Sequence, residues 1–237
     1  MTHRTLMLPG TDEVVPADEV TPDGSVRGAV IVVQEAFGVN DHIVDVCHRF
    51  AAAGYHAVAP HLFHRDGINA LPYQLELALP HLGALTADGI RHDLAATGDH
   101  LATQGFALSA TGIVGFCMGG SISFVAAAET PYGAAVTFYG SGVSAGRFGF
   151  RSMSDLAVEV QSPWLGLYGD LDPGIPIEEV EKLRTAVAGA TVPTSVIRYA
   201  DAGHGFHCDA RPGNYHEAAA TDAWSKTLDW LARYLVT

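Results

Sequence analysis

Basic residues are scarce in this sequence, and their scarcity excludes two classes of partner. Lysine and arginine together number 13 among 237 residues, against 26 aspartates and glutamates, so the formal net charge is −13. A negative field of this kind repels polyanions, so we expect neither nucleic acid nor an anionic membrane as a partner. The field is screened within about 8 Å at physiological salt, and local arginines can dominate it, so it remains compatible with a small anionic substrate.

Cysteines and long apolar runs are also few. The three cysteines, Cys47, Cys117 and Cys208, are an odd number at wide spacing, which is not a disulfide framework and suits a reducing compartment. No apolar run approaches the roughly 20 residues of a membrane-spanning helix. The first residues lack the basic segment and apolar stretch of a signal peptide. We expect a cytoplasmic protein with no membrane segment, and we expect it to be a monomer.

Short apolar runs alternate with longer segments of helical period, in a composition that is 48% apolar and 16% charged. The predicted strands lie at 28–35, 56–60, 111–116, 132–140, 163–170 and 194–200, and the predicted helices at 41–55, 87–104, 118–129, 177–190 and 215–235. This alternation predicts an α/β protein of one domain over residues 1–237, with a mostly parallel central sheet and helices on both faces. The stretches 61–81 and 141–161 are predicted to be irregular, and both follow strand ends, where such sheets bind ligands.

One strand-to-helix turn, Gly115-Phe116-Cys117-Met118-Gly119, has the form of a nucleophile elbow with cysteine in place of serine. The two glycines are required because the turn is strained and leaves no room for side chains beside it. The following helix points its amides and positive dipole end at the sulfur, which favours the thiolate, and the Met118 N–H could belong to an oxyanion hole. Turns of small residues are common in α/β proteins, however, so Cys117 could instead be a core residue.

An elbow requires an acid and then a histidine later in the chain. Asp170 and Asp172 follow one predicted strand, and His204 follows the last strand, between two glycines. Asp172 is the better candidate, because Asp170 lies closer to its strand and could simply cap the turn. Taken singly, Asp172 could also be a capping residue and His204 an ordinary loop histidine. The three residues in the required order indicate that the turn presents Cys117 for chemistry.

Three segments carry a resemblance to the dienelactone hydrolase family of the α/β-hydrolase fold: "VVQEAFGVN" at 32–40, "GFCMGG" at 115–120 and "AGHGF" at 202–206. The resemblance implies that Cys117 is the nucleophile, Asp172 the orienting acid and His204 the general base. It also implies that Glu35 contacts the resting thiol and that the Ala36 N–H is the second oxyanion donor. Glu35 could alternatively bind only backbone amides of its own turn.

The sequence departs from the family pattern where the substrate carboxylate is expected to bind. The family's lactone hydrolases place an arginine four residues after the catalytic histidine, and Cys208 occupies that position here. Arg65 is the one arginine between positions 62 and 88, so a second substrate arginine is not evident, although Arg211 could substitute. Tyr139 could line the pocket, but packing explains it equally well. The resemblance therefore predicts the reaction better than the substrate.

The resulting prediction is an enzyme that hydrolyses a small lactone or carboxylic ester through a Cys-His-Asp triad and an acyl-enzyme, without a cofactor. Histidines at 61, 64, 204 and 207, with Cys208, raise the alternative of a zinc site. No Cys-x-x-Cys or His-Glu-x-x-His motif accompanies them, so we expect no metal. A binding protein that keeps the hydrolase fold is the second alternative. A thiol redox protein is a third, although no resolving cysteine lies near Cys117 in the sequence.

Overall fold

The structure, a computed structural model, describes residues 1–236. Thr237, the last residue of the predicted domain, lies outside the described residues. The strands are β1 (Thr2–Pro9), β2 (Val14–Thr21), β3 (Ala29–Val33), β4 (His56–Pro60), β5 (Thr111–Phe116), β6 (Ala134–Phe138), β7 (Trp164–Gly169) and β8 (Thr194–Tyr199). The helices are α1 (Asp41–Ala52), α2 (Leu75–Ala84), α3 (Ala87–Thr103), α4 (Met118–Glu129), α5 (Met153–Leu156), α6 (Ile177–Val187) and α7 (Glu217–Tyr234).

All eight strands form one sheet in the order β1-β2-β4-β3-β5-β6-β7-β8. From β4 to β8 every neighbouring pair is parallel, whereas β1 and β2 are antiparallel to each other and β2 is antiparallel to β4. Every residue of β3, β5, β6 and β7 is buried, which requires cover on both faces of the sheet. The predicted mostly parallel sheet is therefore confirmed.

The antiparallel hairpin β1–β2 was not among the predicted strands. Its outer strand is largely exposed, and its inner strand has the sequence "VVPADEVT", in which two acidic residues are buried. Buried acids interrupt the apolar pattern that predicts a strand. Their burial depends on hydrogen-bond partners from distant parts of the chain, which the local sequence does not show.

The two stretches predicted to be irregular each contain a helix, so that prediction was wrong in part. The helix α2 begins inside 61–81, and the single-turn helix α5 lies inside 141–161. The signal for α2 is weak because the helix contains Pro80 and its Gln74 N-cap makes no side-chain hydrogen bond. Among the described residues, no helix has the length and apolarity to cross a membrane.

Candidate active site

The turn between β5 and α4 is strained at Cys117. This residue has φ 55° and ψ −115°, in a region that side-chain-bearing residues rarely adopt. A Cβ on Gly115 would collide with the carbonyl of Gly119, and a Cβ on Gly119 would collide with the carbonyl of Val33. Only glycine fits at these two positions, so the glycine spacing has the steric reason that the sequence predicted.

The Cys117 thiol lies at the amino-terminal end of a buried helix. Cys117 is the N-cap of the 12-residue helix α4, and Met118 is the first helical residue. The first amides of a helix lack intrahelical partners, so the Met118 N–H belongs to the donors available at this end. Ala36 lies in the turn after β3, and its strand pairs with β5 in parallel register through Val33 and Gly115. Both predicted oxyanion donors thus follow the carboxyl ends of adjacent strands.

His204 and Asp172 form the short hydrogen bond expected of a base and its orienting acid. The His204 Nδ1 atom lies 2.6 Å from Asp172 Oδ2. Asp172 is buried, and its Oδ1 accepts a 2.8 Å hydrogen bond from the Gly174 amide. Asp170 instead accepts two hydrogen bonds from Arg198, at 2.6 and 2.8 Å. Of the two candidate acids, Asp172 is therefore the one beside the histidine.

The Cys117 thiol is the second group that acts on the His204 imidazole. Burial lowers the pKa of His204, but the hydrogen bond to Asp172 and the contact with Cys117 outweigh burial and raise it to about 10. An imidazole with this pKa holds a proton firmly at neutral pH. Such a group suits a site in which a proton taken from a thiol must be kept and delivered later.

Glu35 is almost fully buried and forms a bidentate contact with Arg211. The Arg211 Nη2 atom donates to Glu35 Oε1 at 3.0 Å and to Oε2 at 2.9 Å. The Tyr139 hydroxyl also donates to Oε1, at 3.2 Å. The hydrogen bonds to the Glu35 carboxylate thus come from two distant side chains, not from amides of its own turn. The guanidinium of Arg211 further packs over the rings of Phe37 and Tyr73, at 5.4 and 5.2 Å from their centroids.

Tyr139 lies behind the catalytic candidates. It follows β6 with a φ of 40°, it is fully buried, and its ring centroid lies 5.1 Å from that of His204 in an edge-on arrangement. Burial raises the pKa of its phenol well above the ordinary value, so the hydroxyl remains a donor to Glu35. Tyr139 therefore contacts both His204 and Glu35. The sequence did not show whether Tyr139 would lie at the site or only pack in the core.

A second thiol, Cys208, lies beside the site, and the sequence suggested it only as a possible zinc ligand. Cys208 is fully buried, its Sγ lies 3.7 Å from the Tyr73 hydroxyl, and the His42 imidazole lies against it. Burial alone would raise the pKa of Cys208, but its contacts with His42 and Arg211 outweigh burial and lower it. The sequence also placed Cys208 at the position where the family's lactone hydrolases carry an arginine. Nothing in the sequence indicated that His42, in α1, would meet it.

A cleft of about 880 Å³ opens near this end of the sheet, between α2 and the segment 141–149. Its wall includes Leu82, Ser141 and Phe148, together with Gly174, whose amide binds Asp172. Cys117 and His204 are not part of this wall. The cleft thus lies beside the turn that carries Asp172, and the Cys117 thiol is not on its wall.

The chain matches the model of the dienelactone hydrolase family over residues 15–235. It is 40% identical to a Salmonella typhimurium protein named "Putative carboxymethylenebutenolidase", over 96% of this chain and 86% of that protein. It is 29% identical to the carboxymethylenebutenolidase of Rhodococcus opacus, over 96% of this chain and 89% of that protein.

Solved structures agree with the sequence comparison. The crystal structure described as a "Putative Dienelactone Hydrolase" from Klebsiella pneumoniae superposes with a TM-score of 0.88 at 33% identity, over 98% of this chain and 99% of that chain. The acylaminoacyl peptidase of Pyrococcus horikoshii superposes with a TM-score of 0.75 at 14% identity, over 98% of this chain and 41% of the peptidase. At this identity the likeness shows the fold alone. The α/β-hydrolase fold is therefore confirmed, and the chain belongs to the dienelactone hydrolase family.

Proposed function

We propose that this chain hydrolyses a small lactone or carboxylic ester through an acyl-enzyme on Cys117, with His204 as general base and Asp172 as orienting acid. The observation that carries the proposal is the 2.6 Å hydrogen bond between Asp172 and His204, whose imidazole lies against a partly exposed thiol at a strained turn. Membership of the family supports the same reaction class. We further propose a cytoplasmic monomer of one domain that uses no cofactor in this reaction.

The proposed reaction has two halves. In the first, His204 as general base holds the proton that it has taken from Cys117, and the sulfur attacks the carbonyl carbon while the Met118 and Ala36 amides donate to the developing oxyanion. The intermediate collapses, the carbon–oxygen bond to the alcohol breaks, and His204 returns its proton to the leaving alkoxide. In the second half, His204 removes a proton from water as the water oxygen attacks the thioester carbon. The carbon–sulfur bond then breaks, the carboxylic acid is released, and the proton on His204 is again shared with the Cys117 sulfur.

Glu35 and Arg211 are proposed to set the preference between neutral and anionic substrates. A substrate carboxylate needs fixed donors to replace water, and a bidentate arginine is the usual one. Here the Arg211 Nη2 atom already donates to both oxygens of buried Glu35. An anionic substrate that bound Arg211 would compete with Glu35, and an unpaired buried carboxylate costs several kcal/mol. We therefore expect neutral lactones and aryl esters to be hydrolysed better than anionic dienelactones of similar size.

The reaction class is tested with a panel of lactones, aryl esters and thioesters, using the parent protein and Cys117→Ala. Turnover in the parent, its loss in the variant, and an acylated Cys117 peptide trapped at early times are expected. Full activity of Cys117→Ala would refute the mechanism. Tight binding of a ligand without turnover of any panel member would support the alternative of a binding protein that keeps the fold.

The substrate preference is tested by comparing kcat/KM for a matched acid and its methyl ester. We expect a preference for the ester of about tenfold or more in the parent, the equivalent of about 1.4 kcal/mol. Because Arg211→Ala alone would strand buried Glu35, the matched variant is the double substitution Glu35→Gln with Arg211→Ala. A strong preference for the acid that disappears in the double variant would show that Arg211 binds substrate carboxylates.

A further inference from the structure

Histidines and buried carboxylates are concentrated around β2, in a part of the molecule that the proposed hydrolysis does not use. Asp18 lies 2.7 Å from His3 and 2.7 Å from His61, through different oxygens. The next residue, Glu19, is fully buried on the other face of the same strand. Successive residues of β2 thus bring a carboxylate to each face of the sheet, and histidines from other elements meet both.

At Glu19, two imidazoles converge on a single oxygen. The Nε2 atom of His56 lies 2.8 Å from Glu19 Oε1, and the Nε2 atom of His100 lies 2.7 Å from the same oxygen. The three possible ligand atoms all lie within 4.8 Å of one another. The side chains of His56 and His100 are 8% and 13% exposed, so the group is sheltered and yet reachable from solvent at His100.

We propose that Glu19, His56 and His100 form a binding site for a zinc-class divalent cation. Two imidazole nitrogens and one carboxylate oxygen are a donor set that zinc accepts, with water as the fourth ligand. Calcium and magnesium prefer sites made of oxygen ligands, so the two imidazoles argue against them. No closely spaced ligand motif contains these residues, so no metal was predicted from the sequence. These three residues are far apart in the sequence and meet only through β2, β4 and α3.

The other contacts of the group are compatible with such an ion. The Arg4 guanidinium donates to Glu19 Oε2, which leaves Oε1 facing the two imidazoles. The Arg4 side chain is 53% exposed, so it can move away when a divalent cation adds positive charge. Each imidazole must present an unprotonated Nε2 to the ion, so the proton now shared with Glu19 leaves that nitrogen on binding.

A bound ion would join the antiparallel edge of the sheet to its parallel part. Its ligands come from β2, β4 and α3, which are brought together only in the folded chain. An ion that binds the folded chain and not the unfolded chain stabilises the fold by RT ln(1 + [ion]/Kd), so the melting temperature rises with the logarithm of the free-ion concentration. We therefore expect zinc to stabilise the protein, and chelation to reverse the effect.

A neighbouring group of residues provides a matched control. Glu13, His92 and Asp93 also lie within ligand distance of one another. Here Glu13 is exposed, and Asp93 is already bound by Arg65 through hydrogen bonds of 2.9 and 2.8 Å. Arg65 engages both oxygens of Asp93, whereas Arg4 engages only Oε2 of Glu19 and leaves Oε1 to the two imidazoles. Neither oxygen of Asp93 is therefore left for an ion, and His92→Gln should leave zinc affinity unchanged.

The experiment is a calorimetric titration of Zn²⁺ into protein that carries no histidine tag and has been freed of metal with EDTA. We expect one ion bound per chain at this site and a zinc-dependent rise in melting temperature. Since loss of a partner behind a metal ligand already costs about 10- to 100-fold in affinity, loss of the ligand in His100→Gln should cost at least as much. The Cys117→Ala variant should retain the site, which separates it from zinc held by the Cys117–His204 pair. Hydrolysis by metal-free His100→Gln should proceed at the parental rate.

Each outcome decides the proposal. If the affinity is unchanged in His100→Gln, is lost in His92→Gln, or is lost in Cys117→Ala, the ion binds elsewhere and the proposal is wrong. Should His100→Gln fail to fold, His56→Gln removes a different ligand and is titrated in its place. The visible spectrum of Co²⁺ added instead of zinc reports tetrahedral nitrogen and oxygen ligation directly, and its absence in the parent would also overturn the site.

Discussion

Cys117 and Cys208 both follow the carboxyl ends of parallel strands, and each thiol lies against an imidazole. His204 meets Cys117 and His42 meets Cys208, and in each pair the thiol shifts the pKa of the imidazole upward. By residue types alone the two groups are equivalent. They differ in the carboxylate behind the imidazole and in the backbone that carries the sulfur.

The carboxylate behind each imidazole is engaged differently. Asp172 lies 2.6 Å from the Nδ1 atom of His204, and its other oxygen is held by a backbone amide. Asp209 lies 3.3 Å from the Nδ1 atom of His42 and is instead paired closely with Arg49. A carboxylate committed to an arginine is a weaker orienting group, since its charge is already neutralised.

The backbone and the exposure of the two thiols differ more. Cys117 is partly exposed in a strained turn at the start of a 12-residue helix, which directs free amides toward the sulfur. Cys208 is fully buried in the loop after β8, with the Tyr73 hydroxyl 3.7 Å from its sulfur. The two groups thus share a thiol, an imidazole and a carboxylate, and only at Cys117 does a strained turn expose the sulfur at a helix amino terminus. This difference in presentation is the reason that we propose Cys117, and not Cys208, as the nucleophile.

The largest expected difference is between the two cysteines themselves. Cys117→Ala should lower kcat for an aryl ester by about 10⁴-fold or more, because the covalent step is lost. Cys208→Ala should change kcat by less than about tenfold, because that sulfur is fully buried and is not presented to a substrate. Steady-state hydrolysis assays on both variants, with circular dichroism to check folding, measure the difference. Comparable losses in the two variants would mean that Cys208 also takes part in the chemistry.

The next largest difference is between the two carboxylates. Asp172→Asn should lower kcat by about 10³- to 10⁴-fold with little change in KM, because the imidazole loses its orienting partner. Asp209→Asn should have an effect of less than about threefold, and so should Asp170→Asn, whose carboxylate is bound by Arg198. Separate kcat and KM values for the three variants test this order. A larger loss at Asp170 than at Asp172 would reverse the assignment of the acid.

The smallest expected effect is on stability. The pKa of His204 is raised to about 10 in the folded protein, against 6.5 as its ordinary value. The resulting stabilisation is fully present below pH 6.5 and is lost as the pH rises toward 10, by a few kcal/mol at most.

Urea unfolding of the parent and of His204→Gln at pH 6.5, 8 and 10 measures this contribution. The difference in unfolding free energy between the two proteins should shrink as the pH rises. A difference that stays constant or grows with pH would show that His204 is not held as the imidazolium in the folded state.

Much of the parallel sheet and the order of the site residues could be predicted from the sequence. The strands β3 and β5 to β7 are continuous apolar runs, which is the pattern of strands covered on both faces. The hairpin β1–β2 escaped prediction because Asp18 and Glu19 are buried against histidines from other elements. The helix α2 was not predicted because it contains Pro80 and its N-cap makes no side-chain hydrogen bond.

By itself the sequence determined the elbow at Cys117, because the turn requires glycine at 115, where a Cβ would meet the carbonyl of Gly119 four residues later. The glycine at 119 has its reason in the tertiary structure, where a Cβ would meet the carbonyl of Val33 in β3. The tertiary structure alone decided the partner of Glu35, which is Arg211, 176 residues away. It also decided the meeting of His56 and His100 at Glu19. Steric strain is local and leaves a pattern in the sequence, whereas buried charge pairs depend on strand order and helix docking, which no short segment encodes.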